Sequence, residues 1–256
     1  MKKILLLVSL FSMLFSTAQT QDSLFVWKAG VMIHKQSIKP ADMDSITFKR
    51  PLVNLANVTI CSQVWATRNL DVTTYSDGTP IPQVTDPTEW ANLTTGAWCY
   101  YNNDPAYNPV YGKLYNWYAV AGIYDAASIA NPSLRKKLAP TGWHVPTVGE
   151  WDTIINCLGG TSVAGAAMKE TGTTHWIDNN TGAGATNSSG FTGLPGSYRF
   201  QDGTYSPGVG YVGIWWSSLD FSTVEGIVIV LSSCCDATGN GAPLKTTGNS
   251  VRCIKD

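Results

Sequence analysis

The run Gly142-Trp143-His144-Val145-Pro146-Thr147-Val148-Gly149-Glu150-Trp151 concentrates more chemistry than any other stretch of the sequence. His144 and Glu150 are residue types used in general acid–base work. Each also has a structural explanation. Trp143 and Val145 alternate with His144 as a short strand does, which turns the imidazole away from two apolar neighbours toward the surface or a cleft. Pro146 stops that strand. Thr147 and Glu150 form T-x-x-E, a capping box in which the hydroxyl accepts from the Glu150 amide and the carboxylate accepts from the Thr147 amide. The helix that follows presents Val148, Trp151, Ile155 and Leu158 on one face, and Gly159-Gly160 ends it. Glu150 is therefore occupied as a cap, and the run reads as architecture.

Other reactive types are scattered. His34, His144 and His175 lie far apart with no metal-ligand spacing, and neither a nucleophile elbow nor a phosphate loop is present. The six cysteines show no C-x-x-C pair. Cys99, Cys253, Cys234 and Cys235 are the disulfide candidates, and spacing does not choose a pairing. Adjacent Cys234-Cys235 forms a strained vicinal disulfide, pairs elsewhere or stays reduced. Cys157, among apolar helical neighbours, reads as a small core residue. Asn102, Asn103 and Asp104 offer oxygens to calcium, or form a turn with Pro105. Ten Trp and eleven Tyr supply either core or sugar-stacking platforms. Trp215-Trp216 places its rings on opposite sheet faces, one of them a candidate for solvent. Trp216, Tyr101 and His144 are the candidate ligand-binding residues.

These residues must be held by elements the sequence also signals. Residues 1–18 read as a signal peptide, with Lys2-Lys3 before an apolar stretch and small residues at 16–18. The stretch is shorter than the roughly 20 residues that span a bilayer, so no membrane span is expected after cleavage, and the cysteines mature in an oxidising compartment. Residues 22–50 form a short β segment, with a hairpin around Lys28-Ala29-Gly30 and a third strand at 45–48; residues 51–57 read as a linker. Asp44-Ser45-Ile46 resembles a bacterial O-glycan acceptor motif. Beyond it, 58–60 pairs with 63–65 across Cys61-Ser62, and 98–101 is β-prone. Residues 112–121 read as an amphipathic helix with Leu114, Trp117, Tyr118 and Ala121 on one face. Strands follow at 214–218, at 227–231 (apolar throughout, as in a central strand) and at 250–254. Two helices followed by a sheet-rich half imply an α+β fold. Charged residues make up only 14% and net charge is −1, which excludes a nucleic-acid binder.

Seven ordered blocks carry a resemblance. They are Trp65-Ala66-Thr67-Arg68-Asn69-Leu70, Trp98-Cys99-Tyr100-Tyr101-Asn102-Asn103, Tyr111-Gly112-Lys113-Leu114-Tyr115-Asn116-Trp117, residues 139–147, Asn187-Ser188-Ser189-Gly190-Phe191, Trp215-Trp216-Ser217-Ser218 and Ser250-Val251-Arg252-Cys253. Together they resemble the Fibrobacter succinogenes major paralogous domain family over residues 54–256. That family is exported and brings no established activity with it. Pro146 to Trp151 and Val251-Arg252-Cys253 are more distantly similar to the sulfatase-modifying and C-type-lectin-like folds. The resemblance implies a C-type-lectin-like fold with two main helices and twisted antiparallel sheets. The sulfatase-modifying enzymes' cysteine pair, four residues apart, is not matched by adjacent Cys234 and Cys235. The expected role is an exported surface or extracellular module that binds a glycan or another surface protein. The alternative is a carbohydrate-active or protein-modifying enzyme.

Overall fold

The structure, a computed structural model, describes residues 22–28, 31–38, 55–177 and 184–256. The chain divides into two units, Met1–Pro51 and Leu52–Asp256. In the first, β1 (Asp22–Lys28) and β2 (Val31–Ile38) form an antiparallel hairpin from Asp22↔Ile38 to Lys28↔Val31, with an irregularity between Val26 and Trp27. The leader at 1–18, the strand expected at 45–48 and the acceptor motif at 44–46 lie outside the described residues.

The second unit begins with β3 (Asn57–Ile60) and β4 (Gln63–Ala66), paired across the expected Cys61-Ser62 turn, where Cys61 takes a positive φ of 55°. A long loop leads to α1 (Pro87–Ala91), capped by the Asp86 side chain. Next come β5 (Trp98–Cys99), α2 (Asn108–Tyr111), β6 (Leu114–Tyr115) and α3 (Trp117–Val120). The expected single helix over 112–121 is thus split. The Tyr115 amide donates to Asn249 O and the Asn116 amide to Ala97 O, so cross-strand bonds take amides a continuous helix needs. Asn116 then caps the single turn that remains, accepting from the Ala119 amide.

After α4 (Ala126–Ala130), the run at 142–151 forms as its residues dictate. Trp143–His144 is β7, and α5 (Val148–Cys157) starts at Thr147 with both capping-box bonds present. The Thr147 amide donates to Glu150 Oε2 at 2.8 Å, and the Glu150 amide to Thr147 Oγ1 at 3.3 Å. Cys157 at the helix end is exposed and disulfide-bonded to Cys61, not packed in the core. Helix α6 (Ala164–Met168) precedes β8 (Val212–Asp220), β9 (Gly226–Ser232) and β10 (Thr238–Gly241). These three form an antiparallel sheet in the order β10-β9-β8, with apolar β9 central as expected.

Strand β11 (Ile254–Lys255) lies between β4 and β7, giving a second antiparallel sheet in the order β3-β4-β11-β7. The unit is therefore mixed α/β, with few, short helices and antiparallel sheets. Among the described residues no helix is long and apolar enough to cross a membrane.

Two apolar clusters flank β8. Trp215 joins Trp65, Trp151 and Phe191 on one side, while Trp216 joins Tyr115, Trp117 and Val228 on the other. Each buried indole removes roughly 200 Å² from water, on the order of 5 kcal/mol before entropic costs. A third cluster holds Trp90, Cys99 and Tyr101. Beside it, Arg199 is fully buried and donates to the carbonyls of Gly203, Val84 and Thr85, with its guanidinium 4.3 Å from the Trp90 ring centroid. Backbone dipoles and a π face stand where a carboxylate usually would.

Candidate ligand-binding site

A cleft of about 530 Å³ opens between the segment leaving β4 and helix α2. Leu55, Val72, Pro109 and Val110 give its apolar wall, and Arg68, Asn69, Asp71 and Asn108 its polar groups.

The floor is fixed from below by Arg252. Its guanidinium is fully buried and donates to Ala66 O and Phe191 O at 2.9 and 2.7 Å, and to Asn69 Oδ1 from Nε and Nη2 at 3.2 and 2.9 Å. The same Asn69 oxygen accepts from Trp215 Nε1 at 2.8 Å. Burial lowers the Arg252 pKa to about 9, which leaves the ion charged at neutral pH. With its oxygen so used, Asn69 turns its amide nitrogen to Tyr111 O at 2.8 Å and holds the end of α2. Gly112 follows with φ 72°, and a Cβ there would sit 3.0 Å from Leu70 O. These contacts bring the two walls to a fixed separation.

The rim carries the groups a ligand would meet. Arg68 is exposed and donates to Pro109 O at 2.5 Å across the mouth. Asp71 is ion-paired with buried Lys113 and accepts from Asn108 Nδ2 at 3.0 Å. The Lys113 ammonium also lies 4.9 Å and 5.3 Å from the Trp98 and Tyr100 ring centroids. Asp71 is thus a neutralised, half-exposed acceptor. The lining has this one carboxylate and no histidine, cysteine or serine, so its polar groups are suited to hydrogen bonding.

The sequence-predicted site residues lie elsewhere. Trp216 is fully buried and donates from Nε1 to Tyr115 O at 2.7 Å, so it is no solvent-facing platform. The two rings do point to opposite faces of β8, but both faces are covered. Tyr101 is buried, with its ring 5.1 Å from Tyr107 and 5.6 Å from Tyr205 and its hydroxyl donating to Ser206 O at 2.6 Å. His144 is about one-third exposed and bracketed by carboxylates, with Nε2 2.8 Å from Glu150 Oε1 and Nδ1 2.8 Å from Asp256 Oδ1. Desolvation works against its protonation, but the two carboxylates outweigh it and raise its pKa; the Glu150 pKa is lowered despite burial, through Thr147 and His144.

The cysteines and the Asn-Asn-Asp run also resolve. Cys99 and Cys253 are buried thiols in separate clusters, and burial pushes their pKa values up to about 11 and about 12, so they are protonated and inert. The disulfide joins Cys61 and Cys157, neither of them a predicted partner. Cys234 and Cys235 place their sulfurs 3.3 Å apart. In the run offered to calcium, Asp104 Oδ1 caps the Ala106 amide and Asn103 Oδ1 accepts from the Tyr205 hydroxyl. Among the described residues, no group of three His, Cys, Asp or Glu is placed to hold a metal.

The cleft itself was missed because its polar groups come from positions about forty residues apart, Arg68 to Asp71 and Asn108. The available signal was the uninterrupted polar run at 67–69 directly after a strand, together with Asn108-Pro109 and Gly112.

No curated protein and no solved structure matches the chain. A family comparison matches residues 58–255, from within β3 to β11, and covers the lining of the cleft apart from Leu55 and Ala56. The chain belongs to the Fibrobacter succinogenes major domain family.

Proposed function

We propose that this protein is an exported bacterial surface or extracellular recognition module with a C-type-lectin-like fold, and that it binds a glycan in the Arg68–Asp71–Asn108 cleft without catalysis. The observation that carries the reading is the pairing of a rigid floor with a hydrogen-bonding rim. Arg68, Asp71 and Asn108 offer fixed donors and acceptors beside an apolar wall, a combination suited to a hydroxyl-rich ligand with an apolar ring face. Support for export comes from the residue pattern at 1–18 and from the Cys61–Cys157 bond, a kind that persists in oxidising compartments.

A glycan array on the purified chain, followed by calorimetry on each hit, tests the reading. Arg68→Ala and Asn108→Ala should each weaken binding about tenfold, the effect of losing one or two charge-assisted or neutral hydrogen bonds. Their melting temperatures should stay near that of the parent. No glycan bound, or a hit whose affinity neither variant changes, overturns it.

A further inference from the structure

The charges around the cleft are unevenly matched. Asp71, Asn108 and Lys113 close a ring among themselves. Lys113 Nζ pairs with Asp71 Oδ1 and donates to Asn108 Oδ1 at 3.3 Å, while Asn108 Nδ2 donates to Asp71 Oδ2 at 3.0 Å. Within that ring the ammonium and the carboxylate cancel. Arg68 stands outside it. Its guanidinium is exposed at the mouth, and Nη2 donates to Pro109 O. Among the described residues no carboxylate forms an ion pair with Arg68. A carbonyl steadies the guanidinium but supplies no counter-charge. A guanidinium carries five N–H donors, so the bond to Pro109 leaves most of them for a ligand. Arg68 and Lys113 set against Asp71 thus give the cleft a net positive charge, and that charge sits on Arg68.

Its position narrows the ligand further. Arg68 is anchored on the carbonyl of Pro109, which forms the apolar wall with Val110. Cation and apolar surface are therefore neighbours, and a ligand that uses both needs an acid group close to an apolar face. In a uronic acid the carboxylate is carried directly on a ring carbon, beside the C–H face of the same pyranose. A neutral sugar offers the face without the acid, and a sulfate ester stands off the ring on a further oxygen. The planar fork of arginine also matches the paired oxygens of a carboxylate.

We propose that the cleft selects acidic saccharides, with Arg68 as the specificity-determining residue, pairing with the carboxylate of a uronic acid ring laid against Pro109 and Val110. The inference rests on the glycan reading of this cleft and adds the class of glycan. Exchanging a neutral hydrogen bond for a charge-assisted one should favour the acid about tenfold. Because the pair forms at an exposed mouth, salt should weaken that preference.

Calorimetry with oligomers of galacturonate, glucuronate, mannuronate and guluronate, each beside its methyl ester, tests the proposal. The ester keeps the ring and its hydroxyls and removes only the charge. At least one acid should bind about tenfold more tightly than its ester, by a margin that narrows as salt is raised. Arg68→Gln keeps a donor without the charge and should bind acid and ester alike. Arg68→Lys keeps the charge without the fork and should show an intermediate preference. Arg68 is exposed, and an unchanged near-ultraviolet circular dichroism spectrum checks that both variants are folded. Neutral glycans whose binding Asn108→Ala weakens, with no gain from an acid group, would overturn this inference and leave the glycan reading standing. So would a sulfated oligosaccharide bound more tightly than every uronate, or a preference for the acid that Arg68→Gln retains. No saccharide bound at all, or poly-glutamate bound in place of saccharides, would overturn both.

Discussion

Replacing Asn69 with alanine should unfold the second unit more readily than any loop substitution of similar size. Its side-chain oxygen accepts from Arg252 Nε, Arg252 Nη2 and Trp215 Nε1, at 3.2, 2.9 and 2.8 Å. Arg252 and Trp215 are both fully buried, so water does not readily replace the lost acceptor. Arg252 keeps its carbonyl partners on Nη1 and a longer contact from Nη2 to Thr192 O, which leaves Nε and the indole as orphaned donors. At about 1–3 kcal/mol for each of the two buried unsatisfied donors, the loss should total about 2–6 kcal/mol. For a unit of this size that lowers the melting temperature by roughly 4–24 °C. Urea unfolding should show a lower midpoint at unchanged slope. Asn69→Asp retains the acceptor and sits beside a cation, forfeiting only the bonds to Tyr111 O and Ser250 Oγ, so it should be the milder variant. A loss below about 1 kcal/mol for the alanine variant would refute the view that this amide solvates the buried guanidinium.

Further outcomes follow from the other anchors. Reducing the Cys61–Cys157 bond, or changing both residues to serine, frees a loop spanning 96 positions and should cost about 4–5 kcal/mol in the chain-entropy view, read as a fall in the denaturation midpoint. Thr147→Ala removes the start of α5 and should cost about 1 kcal/mol in the same assay. The raised His144 pKa gives stability that is complete below its unfolded value of about 6.5 and is lost as pH rises through the folded value; the lowered Glu150 pKa gives stability lost as pH falls through its own. Stability should therefore peak at mildly acidic pH, and His144→Gln should remove the decline toward alkaline pH in melting curves. Unchanged curvature in that variant would show that the histidine's carboxylate partners contribute nothing.

The parts legible in the sequence were those set by local rules. The T-x-x-E box needs only four consecutive residues to start α5, and the Cys61-Ser62 turn needs only its flanking strands. Where distant partners decided, local pattern misled. Leu114, Trp117, Tyr118 and Ala121 have helical spacing, yet residue 115 bonds Asn249, which no local reading contains. Trp215 and Trp216 do face opposite sides of their strand, but the solvent exposure expected of one is lost, because Trp117 of α3 covers the face of Trp216 and the other face is equally buried. Cys157 sits among apolar residues in sequence while its own helical position faces outward to Cys61. The cleft is the extreme case, since none of its polar groups has a motif; they become a site only when Asn69 bonds Tyr111.

The place of β11 has a consequence for how the chain is made. Ile254 pairs with both Trp65 and His144, and Arg252 meets Asn69 from 183 positions away. As a ribosome delivers the chain from its amino end, β4 and β7 emerge without the strand that lies between them, and Asn69 waits for its guanidinium. The sheet and the cleft floor cannot be completed until residues 249–255 are delivered, so folding of this unit is a late event governed by distant contacts and correspondingly slow. A released chain truncated before residue 249 should remain sensitive to protease throughout, whereas one carried through residue 255 should be resistant.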